Sequence, residues 1–172
     1  SEATSINETN LATRLITDIS VITSAITMYY EENTEIGFTS KSEKIPQQLN
    51  FLNLHHLYEA TPGLVSDKLK AILELIWRYI QGTGKRGIIF AYDEAQNLSD
   101  HSDKEQFPLS LLLDVFQSIQ RKNIPFMLAL TGLPTLFPKL VEARTFSERM
   151  FHIIALKPLN REETTKAIRK PI

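Results

Sequence analysis

The sequence predicts an α/β fold, a parallel sheet with flanking helices, and three observations carry that expectation. Short apolar runs recur at Gly87–Tyr92, Phe126–Leu130 and Phe151–Leu156, and none alternates with polar residues. Runs of that length without alternation are the pattern of strands buried on both faces, as in parallel sheets. Stretches with apolar residues every three or four positions separate the runs, the signature of amphipathic helices. The order helix, strand, helix, strand, helix, strand, helix implies parallel strands joined by right-handed crossovers.

Leu11, Leu15, Ile19, Ile22, Ile26 and Tyr29 share one helical face, so the first helix is expected over about Asn7 to Glu31. Its many Thr and Ser residues lower helix propensity, so packing has to hold it. Residues 32–66 show no sustained period and contain Gly37, Pro46, Pro62 and Gly63, which reads as a long, partly irregular connection. Within it, Ile36-Gly37-Phe38-Thr39 fits a short strand and Asn50 to Glu59 a short helix. Leu69, Ile72, Leu73, Ile76 and Tyr79 mark the next helix, with Ser66 or Asp67 as N-cap and Gly82 near its end. Leu109, Leu112, Leu113, Phe116 and Ile119 mark another, and Thr135 to Ala143 a shorter one. Asn160 and Glu163 form a capping-box pattern for a last helix, which Pro171 would stop. Residues 1–65 thus form a helix and connection, and 66–172 the core of a single partial domain. Ser1-Glu2-Ala3-Thr4 reads as the start of a cut segment.

Apolar residues make up 42% and charged residues 23%, enough core for a globular domain of 172 residues. The net charge of −1 gives no general pull toward DNA or acidic lipid. With no cysteine, disulfides and thiolate metal sites are excluded. No apolar run approaches the ~20 residues that span a bilayer. A cytoplasmic location is the expectation.

Chemistry is expected beyond the carboxyl ends of the strands. Those ends carry Asp93-Glu94, Thr131 and the Lys157-Pro158 turn, with Arg149 just before the third run. Alternation along a strand sends one of two adjacent acids toward the crevice and turns the other aside. One acid of such a pair can hold a hydrated Mg²⁺ while the other orients a water. The plain alternative is a solvated loop that caps the next helix.

Four segments in this order resemble AAA+ ATPases, in particular the group related to origin-recognition initiators. They are Gly87-Ile88-Ile89-Phe90-Ala91-Tyr92-Asp93-Glu94-Ala95-Gln96, Leu128-Ala129-Leu130-Thr131-Gly132-Leu133-Pro134, Phe146-Ser147-Glu148-Arg149-Met150-Phe151 and Leu156-Lys157-Pro158-Leu159-Asn160. The match runs from about Leu64 to Ile172. They are similar to the Walker B strand, the sensor-1 strand, the arginine-finger region and the entry to the lid. The resemblance implies a three-layer P-loop NTPase-like fold with a truncated sheet. It also implies roles: Asp93 binding Mg²⁺ through water, Glu94 polarising the attacking water, Thr131 contacting the γ-phosphate or that water, and Arg149 reaching a neighbouring subunit's nucleotide. Tyr92 departs from the aliphatic residue usual before the acid pair.

The family's phosphate loop, with Gly-Lys-Ser or Gly-Lys-Thr, is not in this chain. Gly82-Thr83-Gly84-Lys85 precedes a strand instead of following one, and Arg86 stands where Ser or Thr is needed, so it reads as a helix stop and turn. ATP and Mg²⁺ are therefore cofactors expected of an intact protein, with weak or no binding to this chain. The rival expectation is a non-catalytic scaffold or regulatory module on a degenerate ATPase fold. Lacking the strand that feeds the phosphate loop, the Phe151 run is expected either to pair with the sensor strand or to be met by another copy of the chain. Self-association through an open sheet edge or the arginine finger is thus an expected partner mode, and DNA is possible without support from charge. His55-His56 lack partners for a metal site, and His152 is expected at the core edge. Trp77 and Tyr79 are expected in the core or at its rim, Arg144 at a surface helix end, and residues 100–105 as a solvated loop.

Overall fold

In a computed structural model, residues 7–36, 39–101 and 104–170 are described. Helix α1 (Glu8–Thr23) is followed by strands β1 (Thr27–Ile36) and β2 (Thr39–Gln48), then α2 (Phe51–Ala60) and α3 (Val65–Ile80). Strand β3 (Ile88–Tyr92), α4 (Pro108–Arg121), β4 (Phe126–Leu130), α5 (Leu136–Ala143), α6 (Ser147–Met150) and α7 (Arg161–Arg169) complete the order. Ser1–Thr4 and Pro171 lie outside the described residues.

Strands β3 and β4 pair in parallel from Ile88↔Phe126 to Tyr92↔Leu130. Their inward face carries Ile88, Phe90, Phe126 and Leu128, all buried. Helices α3 and α4 pack against that face. The Phe90 ring meets Phe116 of α4 edge-on at 5.0 Å and Phe126 at 5.8 Å, and Trp77 of α3 meets Phe126 edge-on at 5.9 Å. Each such side chain contributes about 1.5–3 kcal/mol by burial, and each ring pair about 0.5–1.5 kcal/mol more. Helices α1 and α2 extend the same core through Leu11, Leu15, Ile16, Ile19 and Leu54.

The opposite face is uncovered. Ile89 is 65% and Met127 50% exposed, so the expected burial on both faces is not found among the described residues. The architecture is mixed helix and strand with two layers there, where three were expected. The third strand expected at Phe151–Leu156 is also corrected. Residues 151–160 form no helix or strand, and Leu156 is 93% exposed. His152, expected at the core edge, is exposed with them. The run does not pair with β4. A β-prone run forms a strand only where an edge accepts its backbone, and this one never reaches an edge of its own sheet.

Helix α1 ends at Thr23, eight residues before the expected Glu31. The Thr23 hydroxyl donates to Ile19 O at 3.0 Å and Leu49 O at 2.7 Å, which closes the helix end onto the residue after β2. The chain then enters an antiparallel hairpin, Thr27↔Gln48 to Ile36↔Thr39, where an irregular connection was expected. Gly37 and Phe38 of the expected short strand lie outside the described residues. At α3 the N-cap is Leu64, two or three residues before the expected caps, and Asp67 at the third helical position accepts from Leu64 N at 3.3 Å. Asn50 and Asn160 cap α2 and α7 through their side chains.

Asp100, expected in a solvated loop, instead caps α4. Its carboxylate accepts from Leu109 N at 2.9 Å and Ser110 N at 3.1 Å, and from the Ser110 hydroxyl. Gly82-Thr83-Gly84 is the helix stop that the sequence indicates, with Gly84 at φ 78°. Gly87 starts β3 so close to β4 that a Cβ there would lie 2.0 Å from Pro125 O. Gly87→Ala is therefore expected to lower stability by about 1–3 kcal/mol, as overpacking does, read by urea unfolding. Asp100→Ala should cost about 1–2 kcal/mol through loss of the α4 cap in the same assay.

Candidate functional site

The parallel register sets the site. Residues 89, 91 and 93 of one strand and 127, 129 and 131 of the other share the parity of the open face. Asp93 and Thr131 therefore emerge side by side at the carboxyl ends of β3 and β4. The pairing continues past the strands: Thr131 N donates to Tyr92 O at 2.9 Å, and Ala95 N to Thr131 O at 2.9 Å. The Thr131 hydroxyl donates to Asp93 Oδ1, which also accepts from Glu94 N at 2.8 Å. Among the described residues Oδ2 accepts no hydrogen bond, and the carboxyl is exposed.

The Thr131 hydroxyl first, then the Glu94 amide, hold the Asp93 carboxyl below the ordinary carboxylate range. Glu94 has φ 50° and ψ 38°, a left-handed conformation uncommon for a residue other than glycine. Local strain of this kind recurs at functional sites. Its carboxylate accepts from Asn97 Nδ2 at 3.3 Å. The acid pair thus splits as alternation requires, with Asp93 joined to the neighbouring strand and Glu94 turned into the following loop.

Two residues that sequence reasoning gave no role hold the two strand-end loops together. Gln96 Oε1 accepts from Leu133 N at 3.2 Å, and Lys139 Nζ donates to Gln96 O and Ser99 Oγ, both at 2.9 Å. Gly132 permits the approach, since a Cβ there would lie 2.4 Å from Gln96 Oε1. Gln96 stands in the motif segment itself, but contacts 37 and 43 residues apart have no local signal.

Arg149 lies on α6, exposed, and forms no side-chain hydrogen bond to Asp93, Glu94 or Thr131. Arg144 is committed elsewhere: its guanidinium grips Asp114 of α4 with two bonds of 2.9 and 2.7 Å. Tyr92 points to the core side. Burial first, then the negative charge of Asp18, pushes its phenol up, and among the described residues its buried oxygen meets no partner at full hydrogen-bonding geometry.

No three acidic or histidine groups gather into a metal site among the described residues. A hydrated Mg²⁺ needs only one or two carboxylates, with waters and phosphate oxygens for the rest. The exposed Asp93, with Oδ2 accepting no hydrogen bond, fits that lesser demand. Comparison with protein-family models, curated proteins and solved structures finds no match to this chain.

Thr131→Val removes the larger cause of the Asp93 shift, so the Asp93 pKa should rise toward its ordinary value in a carboxyl NMR titration. Because that pKa is depressed in the fold, the contribution to stability is present above the ordinary carboxylate pKa and is lost as pH falls through the folded value. An unchanged pKa in Thr131→Val would remove the Thr131–Asp93 bond.

Proposed function

We propose that this chain carries the catalytic-acid part of an AAA+-like ATPase, whose phosphate loop comes from sequence outside it. The observation that carries the reading is the Asp93–Thr131 pairing across parallel strand ends, with Glu94 turned into the adjoining loop. Asp93 would hold the hydrated cation, which would supply positive charge to offset the charge on the phosphates. Asp93's exposed Oδ2 suits an outer contact through water. Thr131, already a donor to Asp93, would present its hydroxyl beside the γ-phosphate. Glu94 would orient the attacking water. Arg149 would act in a neighbouring subunit's site, which suits its exposure and its lack of a hydrogen bond to the acids. The whole protein would be cytoplasmic.

One observation favours a second reading, a scaffold on a degenerate ATPase fold. The uncovered apolar face beside the acids is a surface for protein contact in its own right.

Two measurements separate the readings. The chain as given should bind Mg-ATP poorly by calorimetry, and micromolar binding would contradict the placement of the loop outside it. In the protein extended to include a Gly-Lys-Ser or Gly-Lys-Thr loop, Glu94→Gln should abolish turnover while sparing nucleotide binding. Hydrolysis that persists in that variant removes Glu94 from the water-orienting role.

A further inference from the structure

Thr131 stands one residue past β4 and is exposed, so packing does not set its side chain. Its amide makes the last backbone bond along the strand, to Tyr92 O at 2.9 Å. The hydroxyl of a β-branched residue follows its backbone, because φ and ψ restrict χ1. The place of the Thr131 hydroxyl therefore depends on what holds residues 131–133. Two consecutive residues of the facing loop hold them. Ala95 N donates to Thr131 O at 2.9 Å, and Leu133 N donates to Gln96 Oε1 at 3.2 Å. The first bond is backbone to backbone and open to any sequence. The second needs a side-chain acceptor of this reach. Gly132 lies between, and a Cβ there would stand 2.4 Å from Gln96 Oε1, so the amide oxygen fills the space the glycine leaves. Lys139 of α5 secures the backbone of the same residue, donating to Gln96 O and to Ser99 Oγ at 2.9 Å each. Glu94 is two residues upstream, and its left-handed turn leads straight into the residues so held.

We infer that Gln96 is a positioning residue for the hydrolysis proposed above: its side chain latches the loop after β4 to the loop after β3, so that the Thr131 hydroxyl and the Glu94 carboxylate keep one spacing. The inference rests on that reading for its chemistry and on the latch for its geometry. Gln96 makes no hydrogen bond to either acid or to the Thr131 hydroxyl, so it acts only through the segment it holds. Its loss leaves the fold intact. Leu133 is 60% exposed and Gln96 half-buried, so water replaces Oε1 at the Leu133 amide. What goes is the fixed geometry, and a misplacement of about 1 Å is enough to slow a reaction about a hundredfold.

Three variants separate a latch from a plain brace. Gln96→Leu keeps the size and removes the acceptor. Gly132→Ala leaves Gln96 in place and pushes Oε1 away, and Gly132 is not among the glycines at positive φ, so alanine suits its backbone. Gln96→Glu keeps the acceptor, and among the described residues the Gln96 Nε2 makes no hydrogen bond that this change would lose. In NMR of the 172-residue chain, Gln96→Leu and Gly132→Ala should speed exchange of the Ala95 and Leu133 amides about three- to tenfold, the scale of one hydrogen bond. They should also give averaged three-bond χ1 couplings at Thr131, with melting as in the parent. Gln96→Glu should match the parent. In the protein extended to include the phosphate loop, the first two should lower kcat about ten- to a hundredfold with KM unchanged, and Gln96→Glu should restore it. Thr131 couplings like the parent's in both latch variants overturn the inference. So does a uniform loss of amide protection with a lower melting point, which marks a plain brace. An extended parent that hydrolyses ATP beside a Gln96→Leu variant of equal kcat overturns it and leaves the proposed function standing. An extended parent that hydrolyses no ATP removes the proposed function, and this inference with it.

Discussion

The parallel pairing of β3 and β4, pressed on one side against α3 and α4, is the constraint on which the rest depends. It is held by a small set of contacts: the rings of Phe90, Phe116, Phe126 and Trp77 on the buried face, and the close approach of Gly87 to Pro125 where the strands begin. Register follows from these. A shift of one residue would turn Phe90 or Phe126 outward and exchange the two faces. The same register delivers Asp93 and Thr131 to adjoining positions at the other end of the strands. The aromatic packing and the carboxylate's hydrogen bond are two ends of one arrangement.

The loops beyond the strands are fixed by polar contacts. Gln96 and Lys139 bind the loop after β3 to the region after β4, and Asp100 ties the far end of the β3 loop to the first turn of α4. Glu8 and Gln106 join the starts of α1 and α4, since Glu8 N donates to Gln106 Oε1 at 3.2 Å and Phe107 N to Glu8 Oε1 at 3.0 Å. The acid pair therefore sits in a loop anchored on both sides, which lets Glu94 keep a left-handed backbone.

Legibility in the sequence followed the range of the physics. Helices α3 and α4 were readable because Leu69, Ile72, Leu73 and Ile76, and Leu109, Leu112, Leu113, Phe116 and Ile119, record one buried face in a local period. Strands β3 and β4 were readable as apolar runs, and their Asp-Glu and Thr ends marked the candidate site. The hairpin β1–β2 was not, because Glu31-Glu32-Asn33-Thr34-Glu35 and Ser40-Lys41-Ser42-Glu43-Lys44 carry no apolar alternation and Pro46 lies inside β2. Ile89 and Met127 read as core, since composition reports what a residue can bury and not whether a layer is there to cover it. The Phe151 run misled for the same reason. Gln96, Lys139 and the Asp100 cap were invisible because their partners lie 9 to 43 residues away.

The central proposal is that Asp93, braced by Thr131, would receive a divalent cation at the strand ends. The most direct measurement is an amide NMR titration of the protein extended to include a Gly-Lys-Ser or Gly-Lys-Thr loop, with Mn²⁺ standing in for Mg²⁺. The account predicts paramagnetic broadening centred on residues 93–96 and 131–133, and its loss in Asp93→Asn. Broadening centred on the acids of α7, or a pattern unchanged by Asp93→Asn, would contradict it.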